Sequence, residues 1–343
     1  MTVGQAWMGY DAAMTPTSTA HDVDALVVGA GPAGLAAGLW LGRYRRSALV
    51  LDSDEHRNAA TQQVHGYLGL ADPSPAELTA RGRAQLAAYP TVSVRAGRCR
   101  SLTGSLGDFR ALLEDGTRVR ASRVILATGV ADVLPTLRNF ADHYGRSAFH
   151  CPACDGYEAQ GLDIVALGWD ARLAGFAGML LTWARSVTVV TDGFTFTGDE
   201  AARKAMARHG IAVIEQAAVE FCGQPGDLQA VRLADGREIP AQMVFFSYGH
   251  NPRNHLATGL GCTLDDDGYV VVDRDGVTTV DGVYAAGDLT AGYQLVQRAA
   301  ASGTVAGVSA ALSLTGEQAA PTAPPTAPDI VGEAEELRNP SGT

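Results

Sequence analysis

The sequence predicts an α/β protein in which two units of alternating strands and helices share one chain, with the second unit inserted in the first. An apolar strand, a glycine-rich turn, a helix and a second strand open the chain over residues 24–51. The same order returns over residues 163–191, which indicates an internal duplication. A further strand and helix after residue 282 fit the first unit, so the chain is expected to leave that unit and return to it.

The composition is that of a globular protein long enough for two domains. The chain has 343 residues, of which 46% are hydrophobic and 18% are charged. Its 40 glycines suit an architecture with many tight turns between strands and helices. The net charge of -11 argues against nucleic acid as a partner, because phosphate binding needs clustered Lys and Arg.

The predicted domains are separated by the return of the chain. The first comprises residues 22–134 and 250–316, and the second comprises residues 135–249. Both are expected to be Rossmann-like nucleotide-binding domains of the three-layer ββα type. Residues 1–21 and 317–343 are rich in Ala, Pro, Thr and Gly without apolar periodicity, and they are predicted to be disordered.

The sequence also predicts a cytoplasmic protein with no membrane partner. Residues 1–24 lack the basic start and apolar stretch of a secretory signal. The uncharged run Ala25–Gly42 is divided by five glycines and Pro32, which indicates strand, turn and helix rather than a membrane span. Five cysteines in a chain of this length are too few for a disulfide scaffold.

The first unit begins with the strand Asp24–Val28, a helix to about Tyr44 and the strand Ala48–Leu51. In the turn between strand and helix, glycines permit a sharp bend and let backbone N–H groups approach a pyrophosphate. An acid follows the second strand, where a carboxylate can accept hydrogen bonds from a ribose. Because these features occur in order, a glycine turn without a ligand is the weaker alternative. The predicted dinucleotide-binding residues are Gly29, Gly31, Pro32, Ala33, Gly34 and Asp52.

Two later segments favour FAD over NAD as this dinucleotide. The strand from Val124 ends in Ala127-Thr128-Gly129, and Ala286-Gly287-Asp288 places an acid where it can reach a sugar-like chain. The helix from about Gln297 would point its positive end at the flavin and stabilise charge on the reduced ring.

The second unit repeats the pattern and then continues with shorter strands. Its predicted elements are the strand Asp163–Leu167, a helix over about Leu173–Ala184, the strands Val187–Thr191 and Ile211–Ile214, a hairpin over residues 231–239, and the strand Met243–Ser247.

Cys151 and Cys154 form the one close cysteine pair in the sequence. A two-residue spacing lets a small disulfide ring open and close, which is typical of redox-active thiols. Zinc is the alternative, but a structural zinc site needs about four ligands, and no second Cys or His pair at ligand spacing occurs. Asp155 could pass a proton to or from a departing thiol, or it could cap a helix. His150 and His65 are secondary candidates because their positions carry no distinctive spacing.

The combined pattern resembles the low-molecular-weight thioredoxin reductase family and its relatives, the dithiol oxidases that close disulfides in gliotoxin- and holomycin-type natural products. Both groups belong to the FAD-dependent pyridine nucleotide-disulfide oxidoreductases. The resemblance runs from about residue 22 to about residue 315. It rests on the turn at residues 29–34, Ala127-Thr128-Gly129, Cys151-Pro152-Ala153-Cys154-Asp155-Gly156 and Ala286-Gly287-Asp288.

The resemblance implies roles for individual residues. Cys154 would lie against the flavin, Cys151 would exchange with the external substrate, and Asp155 would carry the proton. A homodimer with a rotation between its two domains is implied as well. Besides the first turn and Asp52, the implied FAD-binding residues are Asn58, Thr128, Gly129, Gly287, Asp288 and Gln297.

The second unit departs from the reductase pattern. Where that family has a glycine-rich turn for NADPH, this chain reads Gly168-Trp169-Asp170, which adds bulk and a carboxylate where phosphate would lie. The next strand ends in Thr191-Asp192, without the paired arginines that hold a 2′-phosphate. An Asp here could suit the ribose of NADH, but the altered turn is unfavourable for that cofactor too. The sequence therefore argues against NAD(P)H as a cofactor.

Three functions are compatible with these motifs. The preferred hypothesis is an FAD-dependent dithiol oxidase, in which a substrate dithiol reduces the cysteine pair, the pair reduces FAD, and oxygen or another acceptor takes the electrons. The first alternative is a thioredoxin reductase-like enzyme that passes electrons from NAD(P)H or another donor to a disulfide. The second is a flavin redox sensor without turnover.

The expected partner is a small-molecule dithiol or a thioredoxin-like protein. The run Val296-Gln297-Arg298-Ala299 is closer to the oxidases, whereas Asp155 is typical of the reductases.

Overall fold

The computed structural model of the chain describes residues 20–315. The two ends predicted to be disordered lie outside this range, except for Ala20 and His21, which belong to the first strand. Within the described range, none of the helices combines the length and the apolar character needed to cross a bilayer.

The chain alternates between strands and helices in the predicted order. The first part forms β1 (Ala20–Val28), α1 (Pro32–Arg43), β2 (Ala48–Asp52), α2 (Pro75–Leu86), β3 (Val92–Ala96), β4 (Cys99–Ser105), β5 (Asp108–Leu113), β6 (Arg118–Leu126) and β7 (Val130–Asp132). The inserted part forms α3 (Phe140–His143), β8 (Ala148–Phe149), α4 (Pro152–Asp155), β9 (Asp163–Leu167), α5 (Leu173–Leu180), β10 (Ser186–Val190), α6 (Glu200–Arg208), β11 (Ala212–Ile214), β12 (Ala218–Gln224), β13 (Asp227–Leu233), β14 (Glu238–Pro240) and β15 (Met243–Phe246). The returning part forms β16 (His250–Pro252), α7 (His255–Leu260), β17 (Val283–Ala285) and α8 (Val296–Ser313), with short 3-10 turns at Tyr157–Ala159 and Gly287–Leu289.

The first domain is a three-layer unit around one sheet. Strands β3, β2, β1, β6 and β17 run parallel in that order, and β5 and β4 continue the sheet from β6 as antiparallel strands. Alternate residues of β1 enter two different cores, because successive side chains of a strand point to opposite faces. Leu26 and Val28 pack with Phe109 of β5, whereas Ala25 and Val27 pack with the side of the sheet that α1 and α8 cover.

The inserted domain repeats this arrangement. Strands β11, β10, β9, β15 and β8 are parallel, and the antiparallel sheet of β12, β13 and β14 lies beside them. Val165 of β9 packs with Phe221 of β12, whereas Ile164 packs with Leu173 and Ala177 of α5. The predicted α/β fold of two nucleotide-binding domains, with the second inserted in the first, is confirmed.

A two-stranded ladder carries the chain between the domains. Strands β7 and β16 pair antiparallel, with Asp132 opposite His250 and Val130 opposite Pro252. The chain therefore leaves the first domain and returns to it at one place, which brings side chains from distant parts of the sequence together.

Helix α5 is shorter than predicted, since it ends at Leu180 rather than Ala184. The following residues form a turn, in which the Trp183 and Ala184 N–H groups donate to the Leu180 carbonyl at 3.1 and 2.9 Å, and their backbone also bonds to the segment that precedes β9. The Gly161 N–H donates to Trp183 O at 3.0 Å, and the Arg185 N–H donates to Leu162 O at 2.8 Å. Hydrogen bonds to a distant segment thus accompany the end of the helix, and a local pattern does not reveal them.

Candidate active site

A cavity of about 840 Å³ lies between the two domains. It collects most of the residues predicted to bind a dinucleotide, together with both cysteines of the pair. The predicted residues that line it are Gly29, Gly31, Pro32, Ala33, Asp52, Asn58, Thr128, Gly129, Gly287, Asp288, Cys151 and Cys154. Segments from both ends of the sequence therefore meet in one site of the size that ligands occupy.

The first glycine turn has the geometry that a pyrophosphate requires. Gly29 has a φ of 111°, and a Cβ there would lie 2.3 Å from the Ala127 carbonyl oxygen. Gly31 is the N-cap of α1 without a side-chain cap, and a Cβ on it would meet nothing within 4 Å. The backbone at the start of α1 is thus open to an anion.

Gly34 serves this turn differently from its neighbours. It does not line the cavity, and a Cβ on it would lie 1.7 Å from the Gly29 carbonyl oxygen. We therefore assign Gly34 to the close contact between α1 and the turn rather than to direct contact with a cofactor.

Asp52 ends β2 as a buried carboxylate beside the cavity. Burial favours a higher pKa for Asp52, but hydrogen bonds from the Asp54 N–H, at 2.8 Å, and from the Arg83 guanidinium outweigh it and hold the pKa below its ordinary value. The group is thus ionised at neutral pH and can accept hydrogen bonds from sugar hydroxyls.

Cys151 and Cys154 are joined in a disulfide, with their Cα atoms 5.3 Å apart. Cys151 is the N-cap of α4, and Pro152 occupies the first helical position. Because both sulfurs are used in the disulfide, the arrangement favours a redox pair over the zinc alternative. The pair lines the large cavity and also a second cavity of about 180 Å³, so it can be approached from two sides.

The smaller cavity brings Asp155 and Gln297 together with the disulfide. Gln297 was predicted to contact the flavin, but it lines only this second cavity, because it lies in the first turn of α8 on the side of the cysteines. Asn58 lines both cavities. His65 and His150, the secondary candidates, also border the smaller cavity.

Asp155 is the last residue of α4 and is 8% exposed. It is therefore not the N-cap of that helix, which is Cys151. Burial raises the pKa of Asp155 to about 7, while His65 lowers it and Glu158 raises it by smaller amounts. A carboxyl group with this pKa can both accept and release a proton at neutral pH.

The sequence did not predict a buried ionic network that borders the large cavity. The guanidinium of Arg57 donates to both oxygens of Asp132, at 2.8 and 2.5 Å, to Asp288 at 3.0 Å and to Gln294 at 2.6 Å. Burial favours a lower pKa for Arg57, but the two carboxylates outweigh it and raise the pKa above its ordinary value. These residues come from separate segments and have no common spacing, so no sequence signal could have identified the network.

The network continues across the ladder between the domains. Gln294 donates from Nε2 to His250 Nε2, at 2.7 Å, and to the Tyr269 hydroxyl, at 3.0 Å. His150 Nε2 lies 3.7 Å from Asp132 Oδ2. Burial lowers the pKa of His150, although Asp132 opposes this effect, so a neutral imidazole is favoured beside the cysteines.

The turn of the second domain is closed by aromatic side chains. The ring of Trp169 packs against Phe194 and Tyr248, with centroid distances of 4.4 and 4.8 Å. Asp170 accepts from the Arg172 guanidinium at 2.7 Å. The Asp192 carboxylate accepts from the Tyr248 hydroxyl at 2.8 Å and from the Ala218 N–H at 3.1 Å. Both acids are thus engaged within the protein.

The fold and the site define a class of protein. Two nucleotide-binding domains enclose a cavity. Its wall contains an open glycine turn, the ionised carboxylate of Asp52 at the end of β2, and a disulfide. This arrangement is typical of flavoproteins that exchange electrons with thiols and disulfides.

The comparisons with known proteins identify the family. The family model of pyridine nucleotide-disulphide oxidoreductases matches residues 23–303. The chain is 34% identical over 317 residues to the thioredoxin reductase tcpT of Claviceps purpurea, covering 87% of this chain and 96% of that protein. It is 33% identical to the thioredoxin reductase sirT of Leptosphaeria maculans, covering 83% and 92%. A crystal structure of an oxidoreductase from Agrobacterium tumefaciens is similar with a TM-score of 0.78, 32% identity, and coverage of 86% of this chain and 99% of that one.

The chain belongs to the pyridine nucleotide-disulfide oxidoreductase family and is an FAD oxidoreductase acting on thiol or disulfide groups. The residues present fit FAD, because the open backbone at Gly31 can receive its pyrophosphate and the ionised Asp52 can receive its ribose.

Proposed function

We propose that this chain is an FAD-dependent dithiol oxidase, which forms a disulfide in its substrate by way of Cys151 and Cys154. The observation that carries the proposal is the contrast between the two nucleotide sites. The first turn opens onto a large cavity that contains the disulfide, whereas the second turn carries the Trp169 ring packed against Phe194 and Tyr248. An oxidase needs the first site and can dispense with the second.

In the proposed reaction, a substrate thiol loses its proton, and its sulfur bonds to Cys151 Sγ as the bond between Cys151 and Cys154 breaks. The second substrate thiol then displaces Cys151, which closes the substrate disulfide and leaves both cysteines reduced. Two electrons have moved to the pair and two protons have left the substrate. Bound FAD supplies the two-electron acceptor that restores the disulfide, and oxygen or another acceptor receives the electrons afterwards.

The proposed roles of the site residues follow their positions. The backbone at Gly29 and Gly31 receives the pyrophosphate, Asp52 receives the adenosine ribose, and Asp288 holds the flavin side chain. Asp155 accepts the substrate proton, because it is buried next to the disulfide and has a pKa of about 7.

The names of the fungal relatives favour a second candidate, a thioredoxin reductase-like enzyme. In that direction, NAD(P)H or another donor would supply the electrons, and the cysteine pair would reduce a thioredoxin-like disulfide. A redox sensor would use the same cysteines but would not turn over.

The homodimer implied by the resemblance stays a prediction, which sedimentation of the full chain would test.

The test is anaerobic stopped-flow reduction of the holoprotein with dithiothreitol, reduced thioredoxin, NADPH and NADH. We expect dithiothreitol to bleach the flavin absorbance rapidly and the two nicotinamide cofactors to leave it unchanged. Cys151→Ser should abolish the reaction with dithiothreitol. Cys222→Ser is the matched control, because Cys222 is a half-buried free thiol of β12 that lines neither cavity.

Two results would decide against the oxidase. Rapid bleaching by NADPH or NADH, with none by dithiols, would establish the reductase direction. Flavin that changes its redox state once, without repeated turnover in air with excess dithiol, would identify a sensor.

A further inference from the structure

The loop between β2 and α2 brings His65 to the cavity behind the disulfide. The Val64 N–H donates to the Pro73 carbonyl at 2.8 Å and closes the loop, so that His65 and Asp72 face each other at its neck. Asp72 has a φ of 41°, a left-handed conformation that Asp tolerates better than most residues. Nδ1 of His65 lies 3.1 Å from Oδ1 of Asp72. Because an ionised carboxylate can only accept, this hydrogen bond places a hydrogen on Nδ1.

The other ring nitrogen faces the segment that carries the cysteines. Nε2 of His65 lies 3.6 Å from Oε1 of Glu158, which follows Asp155 by three residues. The His65 side chain is 21% exposed and that of Glu158 is 37% exposed, whereas Asp155 is 8% exposed. His65 thus stands between a buried carboxyl group and the solvent.

His65, Asp155 and both cysteines line the same cavity of about 180 Å³. Most of the lining is apolar, but a cavity of this volume has room for several water molecules, which can pass a proton between its few polar groups where these do not touch. His65 is also the group that lowers the pKa of Asp155, so the two side chains interact electrostatically. The other ionisable groups around this pair are Asp72, Glu158 and Tyr144, together with Arg57 and His150, which line the same cavity.

We propose that His65 is a proton-relay residue that connects Asp155 with the solvent, and that Asp72 holds its ring in the orientation this needs. His65 acts through Asp155 and does not itself touch the reacting sulfurs, so its role is that of a positioning residue. The inference rests on the proposed function, since it describes how protons leave during dithiol oxidation.

The relay balances the two substrate protons. When a substrate thiol bonds to Cys151 Sγ, its proton passes to the Asp155 carboxylate, and the electron pair of the broken disulfide stays on Cys154. Asp155 then gives this proton to Nε2 of His65, and the imidazolium releases it from Nε2 to the solvent beside Glu158, while the hydrogen on Nδ1 stays bonded to Asp72. The second thiol repeats the sequence when it displaces Cys151. Asp155 and His65 each return to their starting state.

The experiment measures anaerobic flavin reduction of the holoprotein by dithiothreitol between pH 5.5 and 9, a range that brackets the pKa of about 7 of Asp155. The variants are His65→Gln, which keeps a polar side chain of similar size that does not titrate, His65→Ala, which leaves space for imidazole, and Asp155→Asn. His209→Gln is the matched control, because His209 is an exposed histidine at the end of α6.

We expect both His65 variants to react about tenfold more slowly near pH 7 and Asp155→Asn about 100-fold more slowly, as expected for loss of general acid–base catalysis. Added imidazole should restore most of the rate of His65→Ala. The pH profile of His65→Gln should move to higher pH, because His65 lowers the pKa of Asp155. His209→Gln should behave like the unmodified protein.

The relay is wrong if the His65 variants react at the normal rate while Asp155→Asn is slow, and the proposed function then stands. A slow His65→Ala variant that imidazole does not restore, with an unshifted pH profile for His65→Gln, also overturns the relay, since it would show a structural role. Failure of dithiothreitol to reduce the unmodified holoprotein is a different result, because it overturns the dithiol oxidase itself.

Discussion

Among single residues, Asp155 couples the stability of the protein to pH. Burial raises its pKa to about 7, whereas an exposed Asp titrates near the ordinary value of 3.8. Between these two values the folded state keeps a proton that the unfolded state has lost. The free energy of unfolding therefore decreases as the pH rises through this window, and above it the folded protein holds a buried charge.

Asp155→Asn should remove this penalty and stabilise the protein while it slows the reaction. At pH 8 the gain is at most about 4 kcal/mol, because each pKa unit corresponds to about 1.4 kcal/mol, and at pH 4 it should nearly vanish. Denaturant unfolding of the holoprotein at both pH values measures the difference. The exposed Asp266 provides the control variant Asp266→Asn. An identical pH dependence for Asp155→Asn and the unmodified protein would contradict the assigned pKa.

The spacing of Cys151 and Cys154 could be predicted because a redox pair is encoded within four residues. The presence of an acid next to it could also be seen. Its burial, and the choice between proton carrier and helix cap, could not be predicted, because they depend on how α4 packs beneath the loop at His65.

At the scale of elements, two helices of the first domain, α1 and α8, approach each other closely because a glycine lies at their contact. Helices α1 and α8 cover the same face of the sheet, and a Cβ on Gly303 of α8 would lie 2.0 Å from the Ala33 carbonyl oxygen of α1. Since Ala33 lines the cofactor cavity, the contact also positions the turn that receives the pyrophosphate.

Gly303→Ala should lower the free energy of unfolding by about 1 to 3 kcal/mol, as overpacking does, and weaken the retention of FAD. Gly178→Ala is the matched control, because Gly178 lies in α5 and a Cβ on it would meet nothing within 4 Å. That control should gain up to about 1 kcal/mol from the higher helix propensity of Ala. Thermal unfolding followed by flavin fluorescence reports both effects. Equal responses of the two variants would argue against the close contact.

The two strand–turn–helix–strand units could be predicted because apolar strands and glycine turns are local patterns. The shorter α5 could not, because the backbone after its end is joined to a distant segment by the hydrogen bonds of Gly161 and Arg185.

For the whole molecule, Arg57 is a central contact between the first domain and the ladder that leads to the second. Its guanidinium binds Asp132 of β7 and Asp288 of the returning chain. The side chains of Arg57 and Asp132 are 18% and 7% exposed, so removal of the cation would leave two poorly solvated carboxylates facing each other.

Arg57→Ala should therefore lower the free energy of unfolding by about 3 to 5 kcal/mol, the usual effect of breaking a buried ion pair from one side. Arg185→Ala removes an ion pair with Asp163 in which the arginine is 63% exposed, and it should change stability far less than Arg57→Ala does. Denaturant titration of both variants, with and without added FAD, measures the contrast. A loss for Arg57→Ala as small as that for Arg185→Ala would show that the network does not support the fold.

The sequence by itself determined the two nucleotide-binding units, the first glycine turn with Asp52, and the cysteine pair. Each of these is encoded within a short segment, where spacing and residue type are sufficient. Only the tertiary structure decided which distant groups surround the disulfide. The Arg57 network, the approach of His65 to Asp155 and the packing of Trp169 against Phe194 and Tyr248 all join residues far apart in the chain. Such contacts arise from the way the two sheets and their long loops pack. Local sequence patterns do not predict that packing.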